Sequence, residues 1–502
     1  MLILDDFKYL MCSLMPREKK QIRVELTPWR SIVVGAFLEC CLGLQMSMYF
    51  GPAWPFLEQI DKTATENFFG YIIAAYSLSQ ILTGPIIGHW SQTLHSIIMP
   101  AQACLSLTLI SNLLYIAIPA FPGHWKYVML VARVLAGCGE CVMSMTRTYS
   151  ATASLPKDRQ RVFGICSTGY GIGFISGPVV QLMFDYLEYP GIELFMGIRL
   201  NMYTAGPALC AVMTVLSMFM LAFVFEERYA GLANMRRNSE ITVKVPKFDK
   251  VAVFLCYLTR FCQLFAFSNA EALGATFLMI MFSKTNAEAV GYLAKVYAVQ
   301  GVLILMTYLM FVFVKMEKFI EFRKLAMICL GGFLLYPLMT FPWPFLSGHL
   351  QTYTAADVLA FKAGNLTQEP VGCPKQRFSW CDSTPPINET LFAVAFIISL
   401  GCFIHALTVT LSTLFSKVLG PRRQPRQQSY LQASGSLGRM LGPIVMSNLY
   451  TIYGPKIAWT FELAVLGLAL LLWVAFYKRM VPLQIPEELD VHKQKKPIEN
   501  AA

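Results

Sequence analysis

The chain of 502 residues is 56% hydrophobic and only 14% charged, whereas a soluble globular domain carries about 25% charged residues. This composition excludes an ordinary soluble protein. The formal net charge of +11 does not indicate a nucleic-acid partner, because the basic residues fall in short segments between long apolar runs, as topology signals do. We therefore expect a polytopic membrane protein whose principal partner is the lipid bilayer.

Apolar runs of about 20 residues recur along the whole chain, and each is long enough to cross a hydrocarbon core of ~30 Å. They predict twelve membrane-spanning helices, at residues 31–54, 68–90, 97–119, 126–149, 162–185, 203–225, 251–281, 290–314, 325–346, 391–415, 429–450 and 457–477. The predicted fold class is therefore an all-α membrane protein with twelve transmembrane helices.

A charged segment in the middle of the chain divides these spans into two sets of six. The predicted organisation is an N-terminal segment at 1–30, a six-helix bundle at 31–225, a linker at 226–250, a second six-helix bundle at 251–477 with a loop at 347–390, and a tail at 478–502. Two halves with the same number of spans suggest pseudo-symmetric bundles produced by duplication.

A repeated motif supports this duplication. The sequence G-x-x-x-G-P, followed by two β-branched residues, occurs as Gly173, Gly177 and Pro178 in the fifth span and as Gly438, Gly442 and Pro443 in the eleventh. Two glycines four residues apart allow a neighbouring helix backbone to approach closely, and the proline kinks the helix. The pair predicts halves that pack and move against each other; the alternative is two coincidental small-residue contacts.

The distribution of basic residues predicts the orientation in the membrane. Twelve spans place both termini on one side, and the loops of that side carry most of the Lys and Arg residues, among them Lys157, Arg161, Lys318, Arg422 and Arg423. Short cytosolic loops are enriched in such residues. We therefore expect the N-terminal segment, the linker and the tail in the cytosol.

The long loop between the ninth and tenth predicted spans falls on the opposite side. It contains two N-x-[ST] sequons, at Asn365 and Asn388, which are glycosylation acceptors. It also contains Cys373 and Cys381, which can pair only in an oxidising compartment. These features predict a glycosylated, disulfide-bonded lumenal loop, the alternative being chance sequons and free thiols.

Several ionisable residues lie inside the predicted spans, where a central charge costs about 2.5–3.5 kcal/mol on insertion scales. They are Glu39 in the first span, Arg133, Glu140 and Arg147 in the fourth, Arg260 and Glu271 in the seventh, His405 in the tenth and Arg439 in the eleventh. Arg133 and Glu140 share one helix face, as do Arg260 and Glu271. Intramembrane charges of this kind are functional by default and face the bundle interior.

We interpret them as the lining of a polar cavity in the middle of the membrane. Arg133 and Arg439 are expected to hold an anionic solute or ion. The predicted cavity residues are Arg133, Glu140, Glu271, Arg439, Glu39 and His405, of which the three glutamates are candidates for proton exchange. The alternative is structural: Arg133 pairs with Glu140 or Glu271 to lock helices together, and His405 is a satisfied core residue.

No pattern in the chain indicates an enzyme. Cys138 and Cys141 have C-x-x-C spacing, but they lie in mid-membrane without a second pair and are interpreted as packing residues. The sequence contains no Walker loop, no H-E-x-x-H and no G-x-S-x-G motif. We expect no catalytic residues, no cofactor and no metal.

The two six-helix halves, the charged linker, the stretch Arg133-x-x-x-Gly137-x-Gly139 and the G-P motif of the fifth span resemble the major facilitator superfamily. The resemblance implies a transporter whose two bundles rock about a central site. The loop after the second span departs from the superfamily pattern, because Ser91 stands where aspartate is common. The usual charge lock between the halves is therefore in doubt.

More specific stretches resemble a lysosomal branch of this superfamily, the ceroid-lipofuscinosis neuronal type. They include Trp54-Pro55, Val131-Ala132-Arg133, the stretch 414–421 (L-F-S-K-V-L-G-P) and the stretch 433–436 (A-S-G-S). The resemblance implies a glycosylated endolysosomal membrane protein with chloride conduction as a proposed activity. Arg133, Arg147, Glu271 and Arg439 match the branch, whereas Glu39 and Glu140 do not.

The leading hypothesis is an endolysosomal transport protein that moves a small anion such as chloride through a central cavity between two rocking bundles. The alternative is a proton-coupled symporter of a small organic solute, in which Glu39 and Glu140 matter more. A third hypothesis is a receptor or scaffold that binds partners through the lumenal loop. We expect a monomer with no nucleic-acid partner.

Overall fold

The computed structural model describes residues 26–50, 52–121, 123–184, 186–195, 198–232, 246–363 and 370–483. Eleven of its helices are long and apolar enough to cross a membrane. One of them, Pro425–Ala475, is broken at Gly454, whose φ of 80° and ψ of −178° are not helical, and it therefore contributes two spans. Twelve spans result, which confirms the predicted all-α fold class.

We number the spans 1 to 12 in chain order. They are Trp29–Phe50; Glu66–Leu94; Ile98–Ile116; Trp125–Gly139 continued by Val142–Ala153; Arg159–Phe184; Ala205–Phe219 continued by the π-helical turn Met220–Val224; Lys250–Met281; Asn286–Phe313; Phe322–Met339; Glu389–Ile398 continued through the π-helical turn Ser399–Phe403 into Ile404–Leu419; and the parts of Pro425–Ala475 before and after Gly454. Short helices at Ala53–Ile60 and Ala355–Lys362 lie between spans. The strands Ile192–Phe195 and Ile198–Leu200 pair antiparallel, and Thr352–Tyr353 pairs in parallel with Cys373–Pro374.

Polar caps define where several spans begin. Thr285 and Glu288 form a capping box at the start of span 8, and the Asp249 carboxylate accepts from the backbone N–H of Val251 at 2.8 Å at the start of span 7. Such side chains satisfy backbone donors that have no partner inside the helix. Asn388 caps span 10 in the same way, because its Oδ1 accepts from Leu391 N at 3.1 Å.

The repeated glycines make the same contact in both halves. Gly173 of span 5 lies directly against the backbone of span 1 at Cys40 and Leu44, and Gly438 of span 11 lies against the backbone of span 7 at Phe261 and Phe265. Only a residue without a side chain permits this approach. Span 5 therefore packs on span 1 as span 11 packs on span 7.

The second glycine of each copy extends this contact. Gly177 meets Ser47 on span 1, and Gly442 meets Ser268 and Asn269 on span 7. A Cβ placed on Gly442 would lie 2.7 Å from Phe265 O and 2.8 Å from Asn269 Oδ1. The two helix pairs are thus equivalent elements of two similar bundles.

The bundles meet mainly on one side of the membrane. We call this the linker side, where span 6 ends and span 7 begins, and the opposite side, which carries residues 340–388, the loop side. On the linker side, Gln160 Nε2 donates to the carbonyls of Phe311 at 3.0 Å and Val314 at 2.8 Å. Arg423 donates to His95 O and lies over the Tyr229 ring at 4.7 Å.

Other hydrogen bonds between the bundles lie nearer the middle of the spans. Ser436 Oγ donates to Gln80 Oε1 at 2.5 Å. Farther toward the loop side, Arg439 Nη1 lies 3.9 Å from Met46 Sδ and Gly301 of span 8 faces Ile175 of span 5. This distribution corresponds to a transporter closed on the linker side. The end of span 2, where Ser91 Oγ donates to Ser96 O at 2.9 Å, contributes to this closure through His95 just after the helix rather than through an aspartate.

The loop between spans 9 and 10 covers the second bundle. Cys373 and Cys381 form a disulfide in this loop, and the neighbouring Trp380 packs against Gly454 and edge-on against Tyr450, with 5.2 Å between the latter two ring centroids. The predicted glycosylation site Asn365 lies outside the described residues.

We expect the substitutions G173A and G438A to lower the midpoint of thermal unfolding. A Cβ at either position would push the facing helix backbone away, and overpacking of this kind costs about 1–3 kcal/mol. The matched control is G35A in span 1, where a Cβ would meet no atom within 4 Å and where alanine favours the helix. Thermal unfolding of the purified protein in detergent measures both effects; equal midpoints for G173A, G438A and wild type would contradict the contact.

Candidate functional site

Six charged residues from four spans approach each other between the bundles. They are Glu39 on span 1, Arg133, Glu140 and Arg147 on span 4, Arg260 on span 7 and Arg439 on span 11. Their charges interact across the two bundles. The charges of Arg147 and Arg439 act on Arg260, and those of Arg439, Glu39 and Arg133 act on Glu140. Four guanidinium groups thus face two carboxylates among the described side chains of this cluster.

Arg147 is neutralised by Glu39. Its Nη2 lies 3.2 Å from Glu39 Oε2, and the two side chains are 7% and 0% exposed. Thr146 Oγ1 donates to the other carboxylate oxygen at 2.9 Å. The Nη1 of Arg147 also donates to Ser412 Oγ on span 10 at 3.1 Å. This buried, hydrogen-bonded pair therefore links the first bundle to the second.

Arg133 is held by aromatic rings. Its guanidinium carbon lies 4.7 Å from the ring centroid of Tyr49 and 4.9 Å from that of Tyr76, which is cation–π geometry. Tyr49 is itself fixed, since its hydroxyl donates to Asn112 Oδ1 at 2.6 Å. Within the described side chains, Arg133 forms no ion pair with Glu140. Its charge is therefore partly stabilised but not cancelled.

Arg260 is deeply buried among neutral partners. It is 9% exposed, and its Nη1 donates to Gln263 Oε1 at 3.0 Å and contacts Thr408 Oγ1 at 3.5 Å. Gln263 is oriented in turn, because its Nε2 donates to Ile404 O and to Thr408 Oγ1, both at 2.7 Å. No ion pair to Arg260 occurs among the residues that the structure describes. The charge of Arg260 acts on the Glu39 carboxylate, which already pairs with Arg147.

Arg439 and Glu140 complete the charged cluster. Arg439 is half-buried, with its Nη1 near Met46 Sδ, and it influences both Glu140 and Tyr76 electrostatically. Glu140 is 6% exposed and begins the short break between the two helical parts of span 4. The Arg439 guanidinium and the Glu140 carboxylate thus act across the boundary between the bundles.

His405 borders this cluster, because the charge of Arg260 acts on its imidazole ring. Its Nδ1 shares a hydrogen bond of 2.7 Å with Tyr308 OH, and its ring packs edge-on against Tyr308 and Phe267. Tyr308 also contacts Gly171 of span 5. The arrangement resembles a core histidine at the edge of the inter-bundle contact.

The structure thus brings Glu39, Arg133, Glu140 and Arg439 together. Glu271 lies on span 7, but its side chain is outside the described part of the structure. The predicted set omitted Arg260 although the sequence contains it within a span, and it omitted the anchoring tyrosines and Gln263, whose polar groups carry no distinctive pattern. It also overlooked Glu462, a buried carboxylate on span 12, although an acidic residue in an apolar run is a visible signal.

Among the described residues, no group of three or more His, Cys, Asp or Glu side chains is placed to hold a metal ion.

Comparisons with known proteins agree with this architecture. The family model described as Major Facilitator Superfamily matches residues 35–365 and 378–499. The chain is 29% identical over 487 residues to major facilitator superfamily domain-containing protein 8 of Xenopus laevis, covering 90% of this chain and 92% of that protein. It is 25% identical over 211 residues to multidrug resistance protein 2 of Bacillus subtilis, covering 41% of this chain and 48% of the relative.

Solved structures show the same fold. The human organic anion transporter MFSD10 superposes with a TM-score of 0.61 at 14% identity, covering 89% of this chain and 99% of that one. The proton:xylose symporter XylE superposes with a TM-score of 0.63 at 12% identity, covering 92% and 98%. The family match over most of the chain and the twelve-span fold lead to one conclusion: this multi-pass membrane protein belongs to the Major Facilitator Superfamily, a family of membrane transporters that are generally not enzymes.

Proposed function

We propose that this protein carries a small anion, such as chloride, across an endolysosomal membrane by rocking of its two bundles around the central arginines. The observation that supports the proposal most strongly is the environment of Arg260. A guanidinium buried in a low-dielectric interior needs a countercharge, yet its described hydrogen-bond partners are the neutral Gln263 and Thr408. A mobile anion is the countercharge that fits.

The neighbouring charges strengthen this argument. Arg147 and Arg439 act on Arg260 with the same sign of charge, and Arg147 already occupies the carboxylate of Glu39. Arg133 and Arg439 are half-buried, so a hydrated ion is able to approach them before it reaches Arg260. An anion thus meets partly exposed arginines first and the buried Arg260 last, an order that suits its capture and then its dehydration.

The closure on the linker side suggests the direction of access in this conformation. Hydrogen bonds such as Gln160–Val314 and Arg423–His95 hold the bundles together there, so the anion enters from the loop side. Breaking these hydrogen bonds would open the path from the central site to the linker side. The proposed endolysosomal location and cytosolic termini rest on the resemblance of the sequence to the lysosomal branch, on the excess of basic residues at the linker side and on the disulfide of the loop.

A second candidate is proton-coupled symport of a small organic solute, and Glu140 favours it. A buried carboxylate that faces cations from both bundles is suited to alternate between protonated and ion-paired states as the bundles rock. In this alternative the solute binds at the same arginines, and Glu140 couples its movement to protons.

The variant R260Q tests the proposed anion site. Removing one charge-assisted hydrogen bond costs about 1.5–3 kcal/mol, so we expect chloride flux into proteoliposomes at limiting chloride to fall by about 10-fold or more, whereas R260K, which keeps the charge, retains part of the flux. The control is R199Q in the exposed hairpin, where Arg199 pairs with Glu193 at 3.2 Å. Flux through R260Q at the wild-type rate would remove Arg260 from the site.

The pair Glu39–Arg147 is expected to stabilise the fold rather than bind the anion. E39Q and R147Q each leave a buried charge unpaired, which costs about 3–5 kcal/mol, and both are expected to lower the thermal unfolding midpoint strongly. The double variant E39Q/R147Q removes both charges and is expected to recover much of the loss. S412A serves as a control for the hydrogen bond across the bundles. Strictly additive effects of the two single variants would contradict the pairing.

The variant E140Q separates the two candidate functions. If Glu140 couples transport to protons, flux driven by a pH gradient is lost in E140Q while exchange at equal pH continues. If the protein conducts or carries anions without this coupling, chloride flux in E140Q keeps the pH dependence of the wild type. Uptake assays in proteoliposomes with an imposed pH gradient distinguish these results.

A further inference from the structure

A second buried polar cluster lies in the C-terminal bundle, away from the central arginines. It consists of Glu462 on span 12 and Asn269 on span 7, each 2% exposed. The space around them is lined by Ala270, Leu273, Phe277, Tyr336 and Trp459. This carboxylate has no part in the proposed anion site, and its surroundings are predominantly apolar and aromatic.

The polar atoms that face this space have few partners. Glu462 Oε1 has no hydrogen-bond partner within 3.5 Å in the described structure. The Asn269 amide is the side chain placed to hydrogen-bond the Glu462 carboxyl, and its two polar atoms form no other hydrogen bond there. Trp459 Nε1 is directed elsewhere, since it donates to Thr340 Oγ1 at 2.6 Å. The space between the side chains is too narrow for a water molecule.

The described titratable and polar groups near Glu462 come from spans 7, 9 and 11. Span 7 contributes Asn269 and span 9 contributes Tyr336, and Tyr450 of span 11 lies behind them, next to Trp459 and Tyr336. Within the described side chains, no ion pair reaches Glu462, and the side chain of Glu271 is outside the described set. An isolated carboxylate in such a dry environment costs many kcal/mol, whereas a protonated carboxyl next to an amide costs far less.

We propose that Glu462 is a proton-binding site of this transporter, and that release of its proton is coupled to the movement of span 7 against span 11. A metal cation is a poorer occupant, because hard cations require several oxygen ligands and most of the lining carries none. The coupling to anion transport rests on the proposed function, whereas the proton site at Glu462 rests on the geometry of its surroundings alone.

The coupling follows from the position of Asn269. On one side it faces Glu462, and on the other its Oδ1 would lie 2.8 Å from a Cβ on Gly442 of the repeated motif. Any sliding of span 11 along span 7 therefore displaces the amide that faces the carboxyl. When this displacement admits water, the O–H bond of Glu462 breaks, the electron pair stays on the carboxylate and the proton passes to water.

An aromatic cover determines the side from which water enters. Trp459 stacks on Phe277 with 5.1 Å between ring centroids and lies 6.1 Å from Tyr450. Tyr450 in turn contacts Trp380, next to the disulfide of the loop. Because these rings lie between Glu462 and the loop side, exchange of the proton with that side requires them to separate.

Infrared spectroscopy of the purified protein tests the proton site without any transport assay. At pH 7 the difference between wild type and the isosteric variant E462Q is expected to contain the carbonyl stretch of one protonated carboxyl group. N269A, which keeps the carboxyl but removes the facing amide, is expected to shift this band. The control E193Q changes an exposed carboxylate of the hairpin and is expected to show no such band at pH 7. Absence of the band from the wild type minus E462Q difference would overturn the proposal.

Anion uptake into proteoliposomes tests the coupling. E462Q is expected to transport chloride down its own gradient while losing the acceleration that an imposed pH gradient gives the wild type. Equal acceleration of E462Q and wild type would refute the coupling. A wild-type protein that shows the infrared band but no chloride flux would refute the proposed function and leave the proton site standing, so the two failures are distinguishable.

Discussion

The constraint on which this structure depends is charge balance in a medium that does not solvate ions. Each buried arginine between the bundles meets this constraint differently: Arg147 has a carboxylate at 3.2 Å, Arg133 has two aromatic rings, and Arg260 has neutral dipoles. The desolvation cost of the guanidinium group is offset most for Arg147, less for Arg133 and least for Arg260, because an ion pair offsets more of this cost than an aromatic ring or an amide does. Arg260 therefore gains the most free energy from a bound anion, because its charge is the least offset by protein groups.

The second constraint is how closely the helices pack, which the glycines of the repeated motif determine. Backbone contact at Gly173 and at Gly438 holds span 5 close to span 1 and span 11 close to span 7, so each pair stays in contact as the bundles rock. The bundles are joined by side-chain hydrogen bonds such as Ser429 to Ser144 at 3.2 Å, together with close glycine contacts such as that of Gly88 in span 2 with Ser429 in span 11. Single hydrogen bonds of this kind are weak in net terms and are able to exchange. Close helix pairs within each bundle and exchangeable hydrogen bonds between bundles are the conditions that rocking requires.

The sequence was sufficient for features that depend on local pattern. Apolar run length predicted the twelve spans, although it could not show that spans 11 and 12 are nearly continuous around Gly454. It was not sufficient for pairing across the fold. Glu39 and Arg147 are 108 residues apart, and helical periodicity defines a face without identifying the partner that the face meets. For the same reason the sequence offered a carboxylate only as an alternative partner of Arg133, and it did not indicate the two tyrosine rings that the structure places there. The sequence placed Arg260 on an inward helix face, but it did not identify Gln263 and Thr408 as its neutral partners.

The asymmetry between the halves argues that Glu462 is not a requirement of the architecture. The contacts of the repeated motif align Ser47 of span 1 with Ser268 of span 7, so the counterpart of Asn269 is Met48. Met48 is buried against Cys210 of span 6, and the helix Ala205–Phe219 carries no acidic or basic residue. The N-terminal half therefore builds the same helix contact with sulfur-containing, apolar side chains. The same helix contact can therefore be built from apolar side chains, which avoids the cost of burying a carboxyl group. The pair Glu462 and Asn269 of the C-terminal half is best explained by a function that the N-terminal half does not perform.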